Sequence, residues 1–152
     1  MLLDKQNLFS DAQAATTGTQ LSTDKIDLRG ITIFRTDNLG NTPPDDPGRS
    51  PEIDVLVRVT TTFTGGTSLA VNLVADDDPA LGSPTILQSS GAIAEASLIA
   101  GYNFKLQIPP GIAVADRYLG LQFVTVGAHG AGAITAGIIP RGEKQTAPGS
   151  FT

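Results

Sequence analysis

Few residues in this chain are equipped for chemistry, and their spacing decides what they can do. The sole histidine, His129, stands in the glycine-rich run GAHGAG, residues 127–132. Zinc needs several nitrogen or sulfur ligands, and the chain has no Cys to join the histidine. A serine nucleophile needs a sharp elbow of the form G-x-S-x-G, which is missing. A phosphate-cradling glycine loop opens a helix, whereas the residues after this one, AITAGII, read as a strand. His129 is therefore expected to be a water-exposed loop residue, and its neighbouring glycines a corner.

Three consecutive carboxylates, Asp76-Asp77-Asp78, invite a hard cation. A calcium loop of the EF type alternates its acids and turns at a glycine, D-x-[DN]-x-[DN]-G. This run does neither, and it reads as a solvated, self-repelling turn. Glu95 and Asp116 are the remaining candidates for paired carboxylate chemistry, but nothing in the sequence places them together. The chain reads as a non-enzyme with no catalytic residues, no cofactor and no metal.

Bulk properties narrow the partners. The 152 residues carry 10 Lys and Arg against 15 Asp and Glu, a net charge of −5. The basic residues are scattered singly, as at Lys25, Arg35, Arg58 and Lys105. Phosphate neutralisation supplies most nucleic-acid affinity, so no nucleic-acid partner is expected. No run of 18 apolar residues suggests a membrane span, and Asp4 to Asn7 interrupt the place of a signal's apolar stretch. The expectation is a soluble protein that stays where it is made. Charged residues make up only 16%, below the roughly 25% of ordinary domains, a composition that suits contact with other protein surfaces.

The elements that must carry these residues alternate with period two, the pattern of half-buried strands. In IDVLVRVTTTF, Ile53, Val55, Val57 and Val59 share one face, with Asp54, Arg58 and Thr60 on the other. Leu69, Val71 and Leu73 share a face of the next run, and Gly65-Gly66 between the two reads as a hairpin turn. TILQSS, YNFKLQI, RYLGLQFVTV and GAITAGIIP add further strands, DKIDLRG and ITIFRT one or two more, and AIAEASLIAG a strand followed by a turn. Asp37 to Glu52 holds four of the ten prolines and reads as a long loop. About eight short strands without a helix predict an all-β fold: a single antiparallel β-sandwich or jelly-roll-like domain.

LFSDAQA near the start, STDKIDL, SLIAGYNFKLQIPPG and RYLGLQFVT together resemble the capsid cement (decoration) proteins of short-tailed tailed bacteriophages, the Bordetella phage cement protein among them. The resemblance runs through most of the chain in order. It is most specific in LFSDAQA and in the pair AGYNFKLQIPPG and RYLGLQFVT, and the 37–52 loop falls outside its pattern. It implies a jelly-roll-like domain made in the host cytoplasm and bound to the exterior of the virion's capsid. There it would bridge neighbouring copies of the major capsid protein without enzymatic work. It is expected to pair with itself as a homodimer, with a trimer as the alternative. The rival classes are a carbohydrate-binding β-sandwich module and a tail or adhesin domain of a phage particle. A sugar module wants an aromatic platform, and this chain has no Trp and only Tyr102 and Tyr118.

The domain organisation expected is an N-terminal arm over 1–23, a sandwich over 24–140 and a C-terminal tail over 141–152. Leu2, Leu3, Leu8 and Phe9 are apolar but do not repeat, and all the period-two strands follow Asp24. These four side chains are therefore expected to fill grooves on a partner, the alternative being a frayed terminus. Ser10 and Gln13 fit the S-x-x-Q form of a helix-capping box, but Gly18 and the threonines after it do not continue a helix.

Overall fold

The structure is a computed structural model, and it describes residues 5–28, 53–109 and 116–140. Among the described residues there are ten strands: β1 (Leu8–Ala14), β2 (Thr19–Leu21), β3 (Ile26–Asp27), β4 (Ile53–Thr64), β5 (Ser68–Asp76), β6 (Thr85–Ser89), β7 (Ile93–Ala94), β8 (Asn103–Gln107), β9 (Tyr118–Val126) and β10 (Ala131–Pro140). Short 3-10 turns occupy Lys5–Asn7 and Glu95–Ser97. The predicted ITIFRT strand, the 37–52 loop and the 141–152 tail lie outside the described residues.

Among the described residues all pairing is antiparallel, in two sheets. One runs β1-β10-β4-β8; the other runs β2-β9-β5-β6, with β3 also on β9 and β7 also on β5. The order is nested. The first strand pairs with the last, β2 and β3 with the penultimate β9, β4 with β8, and β5 with β6. A long antiparallel ribbon rolled up on itself gives this order, which is the jelly roll. The predicted all-β sandwich is therefore the fold.

Period two does the work the sequence assigned to it. Val55, Val57 and Val59 of β4 face Leu69, Val71 and Leu73 of β5 across the core, joined by Leu119, Leu121 and Phe123 of β9. The pairing inferred between β4 and β5 is corrected by the structure. They are consecutive but lie in different sheets, so Gly65-Gly66 turns the chain from one sheet to the other. Local alternation tells which residues face inward; it cannot tell which neighbour a strand bonds.

The N-terminal arm is the second correction. Phe9 is 0% exposed and belongs to the main core, and Leu8 is buried as well. Both sit in β1, which pairs with β10. The stretch before residue 24 thus supplies two strands of the sandwich, β1 and β2, and a domain border at 23/24 does not hold. Leu8 and Phe9 serve the chain's own packing; Leu2 and Leu3 lie outside the described residues. The alternation was hidden by two register shifts within the β1–β10 pair and by Ala12 at φ 46°, since each bulge flips the face of the residues that follow.

Replacing a fully buried Phe by Ala costs about 3–5 kcal/mol. Phe9→Ala is expected to lower the urea midpoint accordingly. Ile86→Ala, at a side chain 55% exposed, is expected to leave it within about 0.5 kcal/mol. Equal effects at the two positions would remove Phe9 from the core.

Candidate functional interface

His129 is not the exposed loop residue expected. It is 4% exposed, and its ring stands edge-on to Phe63 at 5.1 Å between centroids and 86° between planes. Gly66 makes room for it: a Cβ at that position would come 2.2 Å from the imidazole. Nε2 lies 3.3 Å from the Ser68 carbonyl, to which its N–H donates, and Nδ1 is buried without a partner. A ring bonded at one nitrogen and wedged against a glycine is a packing piece. Nothing in the local run GAHGAG could reveal this, because Gly66 and Phe63 are some sixty residues away in sequence.

The three aspartates form a built turn. Asp76 accepts the N–H of Ser83 at 2.9 Å and of Asp78 at 3.2 Å, and Asp78 accepts that of Ala80 at 2.9 Å. These bonds, that of Ser83 first, hold the Asp76 carboxyl below the usual carboxylate range. The turn delivers Leu81, buried at φ 52°, onto the outer surface of β9. There Gly120 receives it, since a Cβ at 120 would lie 2.5 Å from a Leu81 methyl. Asp116 lies nearby, its carboxyl pushed up by burial and by the charges of Asp77 and Asp76. Among the described residues, no three His, Cys, Asp or Glu side chains are grouped to hold a metal ion.

Glu95 and Asp116 are not brought together. Glu95 follows β7, which pairs with the start of β5 at Ser68, whereas Asp116 precedes β9 where Tyr118 pairs with Asp76 at the end of β5. A nine-residue strand separates them, roughly 26 Å. The two tyrosines are likewise apart. Tyr102 adjoins Phe104 at 6.0 Å, and Tyr118 lies under the Arg117 guanidinium at 5.0 Å. Arg117 in turn donates to both oxygens of Asp27, at 2.9 and 2.7 Å.

What the fold builds is a body with unlike sides and unlike ends. Along one side, Gln13 clasps the edges of the two sheets: its amide N–H donates to the Leu21 carbonyl, and its oxygen accepts the Thr23 N–H. The backbone N–H of Asp24 also donates to the Phe9 carbonyl. Ser10 and Gln13, the supposed capping pair, are strand residues of this closed side. The opposite side, along β6 and β8, carries Ile86 and Tyr102, both exposed, and the partly buried Leu87 and Phe104.

The ends differ in charge. At one, the turns 15–18, 65–67 and 127–130 meet the 90–101 segment. Among the described residues of that end, Glu95 is the charged one, and its carboxylate accepts the Gly65 N–H at 3.1 Å. At the other lie Asp76, Asp77, Asp78 and Asp116, with the Asp27–Arg117 pair. Composition alone could not show this division, because it depends on which loops share an end.

Comparison with known families finds that the model of the Bbp16 family matches residues 9–138. The match opens at Phe9 within β1 and closes at Ile138 within β10, so it spans the whole sandwich. No curated protein matches the chain.

The lowered Asp76 and raised Asp116 carboxyls act with opposite sign on stability. Asp76 contributes stability that is present above the ordinary carboxylate pKa of about 3.9 and is lost as pH falls through its lower folded value. Asp116 opposes folding once it ionises. Asp76→Asn is therefore expected to flatten the acid side of the stability profile, and Asp116→Asn to raise the melting temperature slightly at neutral pH. Thermal melts from pH 2 to 7 check both; a lower neutral-pH melting temperature for Asp116→Asn contradicts the assignment.

Proposed function

The chain belongs to the Bbp16 family, a Bordetella phage protein family, and from that premise we propose that it is a non-enzymatic cement protein of the phage head. In this reading it binds the exterior of the assembled icosahedral shell and bridges neighbouring copies of the major capsid protein. The observation that carries it is the family match across the whole jelly roll, from first strand to last. The structure adds support of a different kind. The histidine and the aspartate run, the residues best equipped for chemistry, are engaged in packing and in a turn. The body offers broad sheet faces and a neutral end, features that suit holding proteins together. Two tyrosines set at different parts of the molecule do not make the aromatic platform that the sugar-binding alternative needs.

Self-association belongs to the same proposal. Edge strands present unpaired backbone groups that are managed by covering or pairing, and a shell offers two-fold axes at which a self-complementary contact closes. A homodimer is the expected form, with a trimer as the alternative. Light scattering that shows only monomer at micromolar concentration contradicts a dimer formed before shell binding.

Purified heads lacking the protein are the direct test. The protein is expected to co-sediment with them at high copy number and to leave naked DNA unbound. Labelling confined to the tail of intact virions would instead identify a tail or adhesin domain. Binding to DNA that falls steeply with salt would reveal phosphate contacts and overturn the proposal.

A further inference from the structure

We infer that the outer face of the first sheet, β1-β10-β4-β8, holds a docking trough for residues 1–4 of the same chain, an inference independent of the cement reading. Alternation and register locate the trough. Val55 and Val57 of β4 belong to the core between the sheets, so Asp54 and Leu56 point to the other face. Leu56 pairs with Gly137 of β10, and Gly137 with Leu8 of β1. Directly opposite residues share a face, and Phe9, next to Leu8, is a core residue. Leu8, Gly137 and Leu56 thus make one row across three strands, a glycine floor between two leucine walls. Ile139, paired with Asp54, lies two residues along the same face.

This row faces outward and is nevertheless buried. Leu8 is 9% exposed, Leu56 4%, Ile139 2% and Asp54 5%, and the three apolar residues stand apart from the core cluster. On the same face Lys105, opposite Leu56 on β8, and Arg58, two residues along β4, are exposed. The cover therefore spans β1, β10 and β4 and stops there. One copy alone buries these side chains, so the cover belongs to the chain itself. The longer described turns are placed elsewhere: 77–84 sets Leu81 against Gly120 of β9 in the other sheet, and 90–101 bonds to Val59 and Phe63 in the far half of β4. The cover comes from outside the described residues.

Chemistry selects the segment. An apolar trough takes apolar side chains. Residues 40–52, which lead into β4, and 141–150, which follow β10, contain no Val, Leu, Ile, Met or aromatic side chain. Residues 110–115 follow Ile108, a core residue, and lead to the other sheet. Residues 1–3 are Met, Leu and Leu. They stand just before the 3-10 turn Lys5–Asn7, which enters β1 at Leu8, the margin of the trough. From β1 to β4 is two strand spacings, about 10 Å. A 3-10 turn advances about 2 Å per residue and an extended chain about 3.4 Å, so Leu2 and Leu3 reach the floor at Gly137. The two leucines expected to seek a groove on a partner are thus supplied with one on their own chain.

Methyl-labelled protein tests this directly by NMR. Nuclear Overhauser contacts are expected from Leu2 or Leu3 to Leu56 and Ile139. They should persist within one copy when two differently labelled batches are mixed and only contacts between copies are filtered out. Contacts to Leu56 and Ile139 from residues 29–52 or 141–152 instead, or from Leu2 and Leu3 of a second copy only, overturn the assignment. A second measurement uses stability. The double variant Leu2→Ser with Leu3→Ser is expected to lower the melting temperature by about 4 °C or more. In a Leu56→Ala background the same pair should cost clearly less, because the wall it packs on is gone. A double variant that melts with the unsubstituted protein, or effects that simply add, overturns it. Neither measurement involves heads, so its failure leaves the cement reading untouched.

Discussion

The pairing of β1 with β10 is the contact on which the rest of the fold depends. Each sheet has one apolar face, and neither is covered until the two lie against each other. The nested order means that the outermost pair closes the roll: β1 brings Phe9 over the core, and Ala15 follows it inward. A fold built this way draws most of its contacts from residues far apart in sequence. Such topologies fold slowly for their size, because loop closure must precede most of the reward. The chain therefore gains little from any one strand or turn taken alone.

The legible part of the fold follows from that same geometry. The central strands β5 and β9 pair without a register shift, and the two shifts between β4 and β10 fall after Val59, so period two survives in β5, in β9 and in the first half of β4, where the inward residues are apparent from the sequence. The bulged β1 is an edge strand. Its face changes twice within seven residues, and an apolar stretch that belongs to the core then looks like one that does not. The assignment of strands to sheets is illegible for a different reason. Gly65-Gly66 is a good turn whether the chain doubles back beside itself or crosses to the facing sheet. Only the whole nested order decides between them.

The chemistry-bearing residues were misleading where burial is set by a distant partner. Asp76 to Asp78 sit where a turn was expected, and Asp77 and Asp78 are exposed. Their bonding to Ser83 and Ala80 became visible only with the turn's path, as did the Leu81 that it carries. His129 has all the marks of a loop residue in sequence, yet it is a core residue of the neutral end. The division of the molecule into a neutral and an acidic end arises in the same way. It belongs to no single segment and appears when loops from four parts of the chain are gathered.

The contact between Gly66 and His129 also constrains how the sequence can drift. With no space for even a methyl group at 66 while an imidazole fills the site, a side chain at 66 requires a smaller residue at 129. A smaller residue at 129 alone leaves a void under Phe63, and each step is harmful before the other is taken. The two turns thus form a single heritable unit, and substitutions at these positions should be found together or not at all.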